Sequence, residues 1–225
     1  MHEKIKVDEI ELKNVRRAEP ADASFLAWSI LQASRGHSKK GWFDVALNLP
    51  DTGCTEFVEQ LTLTPPLSRW HYSRFSVIES SGDPVAALSS FRASEVLLSS
   101  PISIDNVAAS CGWTAAERAC IWERGAHVFT CIPRPADDCW IVESVATLPE
   151  YRRRRYATVL LDWALADGRS QGLSRVELVT LIGNESAEAV YLKAGFHVDQ
   201  EIRDAAFEQA LGVTGLRLLS RHLTE

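Results

Sequence analysis

Trp140-Ile141-Val142-Glu143-Ser144-Val145-Ala146-Thr147-Leu148-Pro149-Glu150-Tyr151-Arg152-Arg153-Arg154-Arg155-Tyr156-Ala157 is the stretch that decides the fold. Residues 140–147 form a nearly continuous apolar run, the pattern of a central strand buried on both faces. Pro149 ends it. Beyond the four arginines, Ala157, Leu160, Leu161, Ala164 and Leu165 recur at i, i+3, i+4, i+7 and i+8, which predicts a helix from about Arg155 to Gln171. Gly172 is its stop. A strand, a tight turn and a helix start crowded with cations thus follow one another. Unpaired N–H groups and a partial positive charge at a helix start favour an anion such as a pyrophosphate.

Downstream, Val176 to Leu181 reads as a second buried strand, and Asn184 is placed to cap a helix that runs to Ala194 and ends at Gly195. Phe196 to Val198 and Leu216 to Leu219 are candidate closing strands. Strand, helix, strand, helix, strand over 140–198 implies a right-handed crossover and strands that are at least partly parallel. Upstream, Phe75 to Ile78 and Val85 to Phe91 flank Ser81-Gly82-Asp83-Pro84, a hairpin signature that adds antiparallel strands. Residues 10–18 suit a short strand. Glu19-Pro20-Ala21-Asp22 opens a helix to about Ser34. Residues 92–138 have helical character, with a capping box in Thr114-Ala115-Ala116-Glu117. The expected architecture is mixed α/β (α+β), with helices on both faces of one sheet.

Composition narrows the function. The chain has 225 residues and a net charge of −6, which argues against non-specific binding to nucleic acid or to an anionic membrane surface. No apolar run reaches the ~18 residues of a membrane span. The charged N-terminus MHEKIKVDEIELK lacks the apolar region of a secretory signal. These features make a cytoplasmic protein the expectation, with residues 1–9 a polar tail. Five widely spaced cysteines without a CxxC read as unpaired thiols, and no histidine falls at metal-ligand spacing. Neither GxxxxGK[ST] nor GxGxxG occurs, so the anion site lacks the usual signatures of nucleotide hydrolysis and dinucleotide binding.

Val145 to Ala157 resembles the cofactor motif of the GNAT acetyltransferase superfamily: a strand, Pro-Glu-Tyr, then [Q/R]-x-x-G-x-[G/A], with Arg152 in the first place and Ala157 in the last. Asn184, Ala187, Tyr191, Lys193, Gly195 and Phe196 resemble that family's second motif, N-x-x-A-x-x-x-Y-x-K-x-G-F. The resemblance implies a GNAT fold over residues 10–225, with a mostly antiparallel central sheet and a parallel splayed pair; it does not cover residues 92–138, which are read from their own pattern as a helical insertion. It implies acetyl-CoA as acyl donor and no metal. The acceptor is then a small-molecule or protein amine, and the protein acts as a monomer or homodimer. Site roles follow residue by residue. Val145, Ala146 and Thr147 would lie along the pantetheine arm. Arg152, Arg153, Arg154, Arg155, Tyr156, Ala157 and Thr158 would surround the pyrophosphate. Asn184 and Ala187 would meet the pantetheine side. Tyr191 would sit at the sulfur as general acid, seven residues from Asn184 and therefore on the same helical face.

Arg155 stands where the family has glycine. In a helical conformation arginine is sterically allowed there, and its guanidinium either binds phosphate or fills the site. Glu143, the only charged side chain in 140–147, is the candidate base. A carboxylate in a buried strand is costly unless it faces a wet cleft or is hydrogen-bonded, so pairing with an arginine is the alternative. Cys131 and Cys139 lie close to this strand in sequence and raise a covalent-cysteine route. No histidine is near them to support it. Trp42, Trp113, Trp122 and Trp140 read as core, with a substrate platform as the alternative. Asp44, Asp137 and Asp138 are candidates for steering a cationic acceptor. A non-catalytic CoA-binding module of the same fold is the alternative function.

Overall fold

A computed structural model describes residues 15–96 and 98–223. The expected tail at 1–9 and the first part of the strand expected at 10–18 lie outside the described residues. Seven strands form one sheet: β1 (Val15–Arg17), β2 (Phe75–Ser80), β3 (Asp83–Arg92), β4 (Trp140–Thr147), β5 (Arg175–Leu181), β6 (His197–Arg203) and β7 (Gly215–His222). Their order is β1-β2-β3-β4-β5-β7-β6. All pairings are antiparallel except β4 with β5. The expected crossover therefore joins β4 to β5. The next strand in sequence, β6, does not pair with β5, because β7 inserts between them.

Alternation along the strands sorts the core onto two faces. Ile78, Ala86 and Leu88 pack with Leu160, Leu161 and Ala164 of α6 (Tyr156–Ser170) and with Tyr191 of α7 (Glu185–Lys193). Phe75, Val77 and Ala87 point the other way, against α1 (Ala23–Arg35), α2 (Trp42–Leu47), α3 (Asp51–Leu63), α4 (Ser99–Ser110) and α5 (Ala115–Phe129). A short α8 (Ala205–Leu211), which no periodic pattern signalled, joins α5 on that second face through Phe207 and Leu211. Within 92–138, Ala93–Glu95, α4 and α5 are helical and the chain from 130 to 138 is turn and loop, and the Thr114–Glu117 capping box forms. The helical reading of 19–34 also holds, with a 3-10 turn over Pro20–Asp22 ahead of α1. Among the described residues no helix is long and apolar enough to cross a membrane.

Two irregularities shape the centre of the sheet. Ala87 pairs with Ala146 and Ser89 with Glu143, so Leu88 alone stands opposite both Ser144 and Val145. This is a β-bulge, and Ser144 adopts φ +53° within it. The β4–β5 ladder runs only from Trp140↔Val176 to Val142↔Leu178. Beyond Val142 the two parallel strands part, although both continue. Ser29 of α1 donates to the Ser144 carbonyl at 3.2 Å, tying the helix to the bulge.

At the far edge, β7 depends on Gly215. A Cβ there would lie 1.9 Å from the Ile202 carbonyl oxygen, a backbone atom that cannot swing aside. Gly215→Ala should cost at least ~2 kcal/mol in urea denaturation by forcing β6 from β7. An unchanged midpoint would show that the edge pairing is not needed for stability.

Candidate active site

The parting of β4 from β5 opens a cleft of about 580 Å³ that reaches both faces of the sheet. Its walls include Val142 to Thr147 from β4, Arg152, Arg153, Arg155, Tyr156, Ala157 and Thr158 from the turn and the start of α6, and Asn184, Ala187 and Tyr191 from the α7 side. The second face contributes residues of α1, α2, α5 and α8. Of the residues given donor-binding or proton-transfer roles from the sequence, Arg154 alone is missing from these walls. Its guanidinium lies 5.0 Å from the centre of the Tyr151 ring, a cation–π contact. The arginine run thus divides its work. Arg152 donates to the Thr147 carbonyl at 3.3 Å, while Arg153 and Arg155 face the cleft.

The turn differs from the helical conformation expected for Arg155. Arg155 has φ +66° and ψ +10°, and Arg153 has φ +62°; both are left-handed. Such a backbone favours glycine, and arginine there costs about 1–2 kcal/mol. The position therefore keeps the conformation that glycine takes easily, with a cationic side chain added. Left-handed residues before a helix turn successive N–H groups inward as an anion-binding concavity, and α6 adds the positive end of its dipole.

Across the cleft, Asn184 occupies the start of α7 at φ −80°, ψ 65°, but its side chain makes no capping bond, contrary to expectation. Its Oδ1 instead accepts from Ser186 at 3.3 Å. The close approach of Gly36 (φ +55°), whose absent Cβ would fall 3.2 Å from Asn184 Nδ2 and 3.0 Å from Leu181 Cδ1, brings the end of α1 onto this corner. Tyr191 is 8% exposed and packs edge-on against Phe196 at 6.3 Å. Burial pushes its hydroxyl up to about 12, so it stays protonated through neutral and mildly alkaline pH.

Glu143 projects from the strand just before the bulge and accepts from Arg69 Nη1 at 2.8 Å. The pairing alternative is therefore realised, yet the carboxylate is still 29% exposed and lines the cleft. Arg69, in the loop before β2, carried no signal in the sequence, because its partner is 74 residues away. Cys139 is buried, and its thiol is pushed up to about 12 by burial and by the neighbouring Glu177 carboxylate. Burial raises Cys131 as well. Neither is a ready thiolate, and neither lines the cleft. Asp44 and Asp138 do not serve as free steering charges: Arg35 holds Asp44 at 2.5 and 2.9 Å, and Arg92 holds Asp138.

The geometry can be set beside known proteins. The profile of the Acetyltransferase (GNAT) family matches residues 50–196. Among solved structures, one described as an acetyltransferase superposes with a TM-score of 0.67 at 14% identity, covering 93% of this chain and 99% of that one. An N-acetyltransferase from Staphylococcus aureus Mu50 gives 0.62 at 20% identity, covering 92% and 99%. The protein yncA from Salmonella typhimurium, solved with its cofactor acetyl-CoA, gives 0.54 at 14% identity, covering 94% of each chain. These likenesses show a shared fold. A search of curated proteins finds no match.

The left-handed turn yields a stability test. Arg155→Gly relieves the backbone cost, offset in part by the ~0.5–1 kcal/mol that glycine's unfolded-state freedom costs. Its thermal midpoint should equal or slightly exceed that of the parent. Arg155→Val should lose about 1–2 kcal/mol, because a β-branched residue fits this region poorly. If both variants fell equally, the side chain and not the backbone would be what stabilises the turn.

Proposed function

The chain belongs to the GNAT acetyltransferase family, and on that premise we propose that it moves the acetyl group of acetyl-CoA to a primary amine by direct attack with both molecules bound. The observation that carries the reading is one continuous cleft. It joins the left-handed arginine turn, the strand edge freed beyond Val142, and the Glu143–Tyr191 region on either side of that edge.

The residues fit the donor. The inward N–H groups of the turn, the start of α6 and the Arg153 and Arg155 guanidinium groups suit a diphosphate. The β5-facing edge of β4 has no strand partner beyond Val142, so its backbone can pair with an extended amide-bearing arm as an added strand does. Asn184 and Ala187 close the opposite side. Acetyl-CoA supplies a thioester whose C–S bond breaks as the acceptor nitrogen bonds to the acyl carbon, one proton leaving nitrogen and one reaching sulfur.

The chain's own groups manage those protons. An amine of pKa about 10.4 costs roughly 4–5 kcal/mol to deprotonate at pH 7. Glu143 is the carboxylate in the cleft that can take that proton, directly or through one water, while Arg69 fixes its orientation. Tyr191, buried and protonated, is the donor to sulfur. The raised hydroxyl does not limit the rate as pH rises to 8 or 9, since it ionises only near 12. A covalent cysteine route is disfavoured by the burial and raised thiol of Cys139.

Acetyl-CoA at one hundred times its dissociation constant should stabilise the protein by about 2.7 kcal/mol in thermal denaturation. Absence of any shift would remove the donor assignment. In a thiol-release assay, Tyr191→Phe should lower kcat about a hundredfold with the acetyl-CoA KM little changed. An unaltered kcat would reassign the proton donor. Glu143→Gln should lower kcat/KM to a similar degree while leaving the acetyl-CoA stabilisation intact, and full activity in that variant would point to another base.

A further inference from the structure

The wall of the cleft opposite α6 and α7 is nearly free of charge. It is built by Trp28, Trp42, Val128, Ile132, Phe207 and Leu211, drawn from α1, α2, α5, the segment after α5, and α8. Trp42 is fixed in an aromatic cluster, stacked on Trp70 at 6.3 Å and tilted against Trp122 and Phe129 at 6.0 and 5.9 Å. Trp28 is stacked on Phe25 at 5.5 Å. Both indoles are therefore packed against neighbouring rings. The charged residues lining the whole cleft are Arg152, Arg153 and Arg155 at the donor end and Glu143 at the reaction centre.

Glu143 already carries Arg69. Three further carboxylates, on α2, before α8 and on α7, are engaged elsewhere. Asp44 is gripped by Arg35 and by the Gly41 N–H. Asp204 caps α8 through the Phe207 N–H at 2.9 Å, and Glu188 pairs with Arg217. A second hollow of about 160 Å³ adjoins the cleft and shares Ile132, Glu143 and Val179 with it. That hollow is lined by Phe91, Val96 and Pro133, and its cation is Arg69, held 5.9 Å from the Phe91 ring and 5.8 Å from the Trp70 ring. Its one further carboxylate, Glu177, is bound to Arg175 at 2.7 Å and to the Ala136 N–H at 3.1 Å.

From this arrangement we propose that the acceptor is a primary monoamine with an apolar, ring-sized body, its amine at Glu143 and its body between Trp28, Trp42 and Leu211. The inference rests on the transfer reaction proposed above and narrows its substrate. A single ammonium meets Glu143, the one carboxylate lining the cleft among the described residues, beside the Arg69 contact on its Oε1. A second ammonium on a polyamine would enter either an uncharged wall or a hollow holding a guanidinium, and would lose its hydration with no counter-charge in exchange. Apolar body surface, by contrast, gains from the aromatic walls. Selectivity here comes as much from what the chamber rejects as from what it holds.

Calorimetric titration of 2-phenylethylamine and of spermidine tests this, each into the protein alone and into protein saturated with CoA. The expected result is 2-phenylethylamine bound at least about tenfold more tightly than spermidine in one or both forms. Equal or tighter binding of spermidine, or no binding of 2-phenylethylamine, overturns the proposal. Because binding is read without turnover, an inert enzyme that still prefers the aromatic amine would sink the transfer reaction and spare the chamber's selectivity. A second arm uses Ile132→Asp, at an exposed position on the lip. It should shift the preference toward spermidine by roughly fivefold, as an added surface carboxylate does. A preference that stays where it was would equally overturn the proposal.

Discussion

Everything at the centre of this molecule follows from two parallel strands that stop pairing while both still run on. β4 and β5 share three register positions and then diverge. The bulge at Ser144 and Val145 bends β4 at the same level. Strand backbone freed in this way has N–H and C=O groups that need partners, and buried groups without them are costly. Ser29 meets the Ser144 carbonyl from α1. The rest of the freed edge faces a cleft open to both sides of the sheet. β3 and β7 keep the sheet intact on either side of the gap.

The four arginines show why a charge run should be read together with its backbone. By charge alone Arg152 to Arg155 are equivalent. In the fold, Arg152 is tied to the Thr147 carbonyl, Arg154 lies on Tyr151, and Arg153 and Arg155 take left-handed conformations and face the cleft. The local electrostatics of a helix start reward an anion whichever side chains surround it. Arg153 and Arg155 take a left-handed backbone of the kind glycine adopts easily, and Arg155 does so with a cationic side chain.

The opposite wall is set by helices that belong to different parts of the chain. Residues from α1, α2, α5 and α8 converge there, and Arg35 pairs with Asp44 behind them. Burial by itself would raise Asp44, but its hydrogen bonds from Arg35 and the Gly41 N–H outweigh that and hold it below the usual carboxylate range. It is consequently a structural anion linking α1 to α2. The result is an aromatic chamber with one carboxylate at its floor.

Much of this was legible along the chain because it depends on neighbours in sequence. The strand Trp140–Thr147, the helix after it, the capping box at Thr114 and the hairpin around Gly82 follow from periodicity and turn chemistry, which act over a few residues. The spacing of Arg152, Ala157, Asn184 and Tyr191 placed the donor side of the cleft for the same reason. What the sequence left open depends on contacts across long separations. The Arg69–Glu143 pair spans 74 positions. The Ser144 bulge requires a count of residues on two strands at once, and the insertion of β7 between β5 and β6 requires the whole sheet. The left-handed turn at Arg155 defies arginine's own preference. The polypeptide's local chemistry thus determined which elements form and where cations gather at a helix start. Tertiary packing decided the shape and charge of the opposite wall, because a wall assembled from four distant helices exists only once they are packed together.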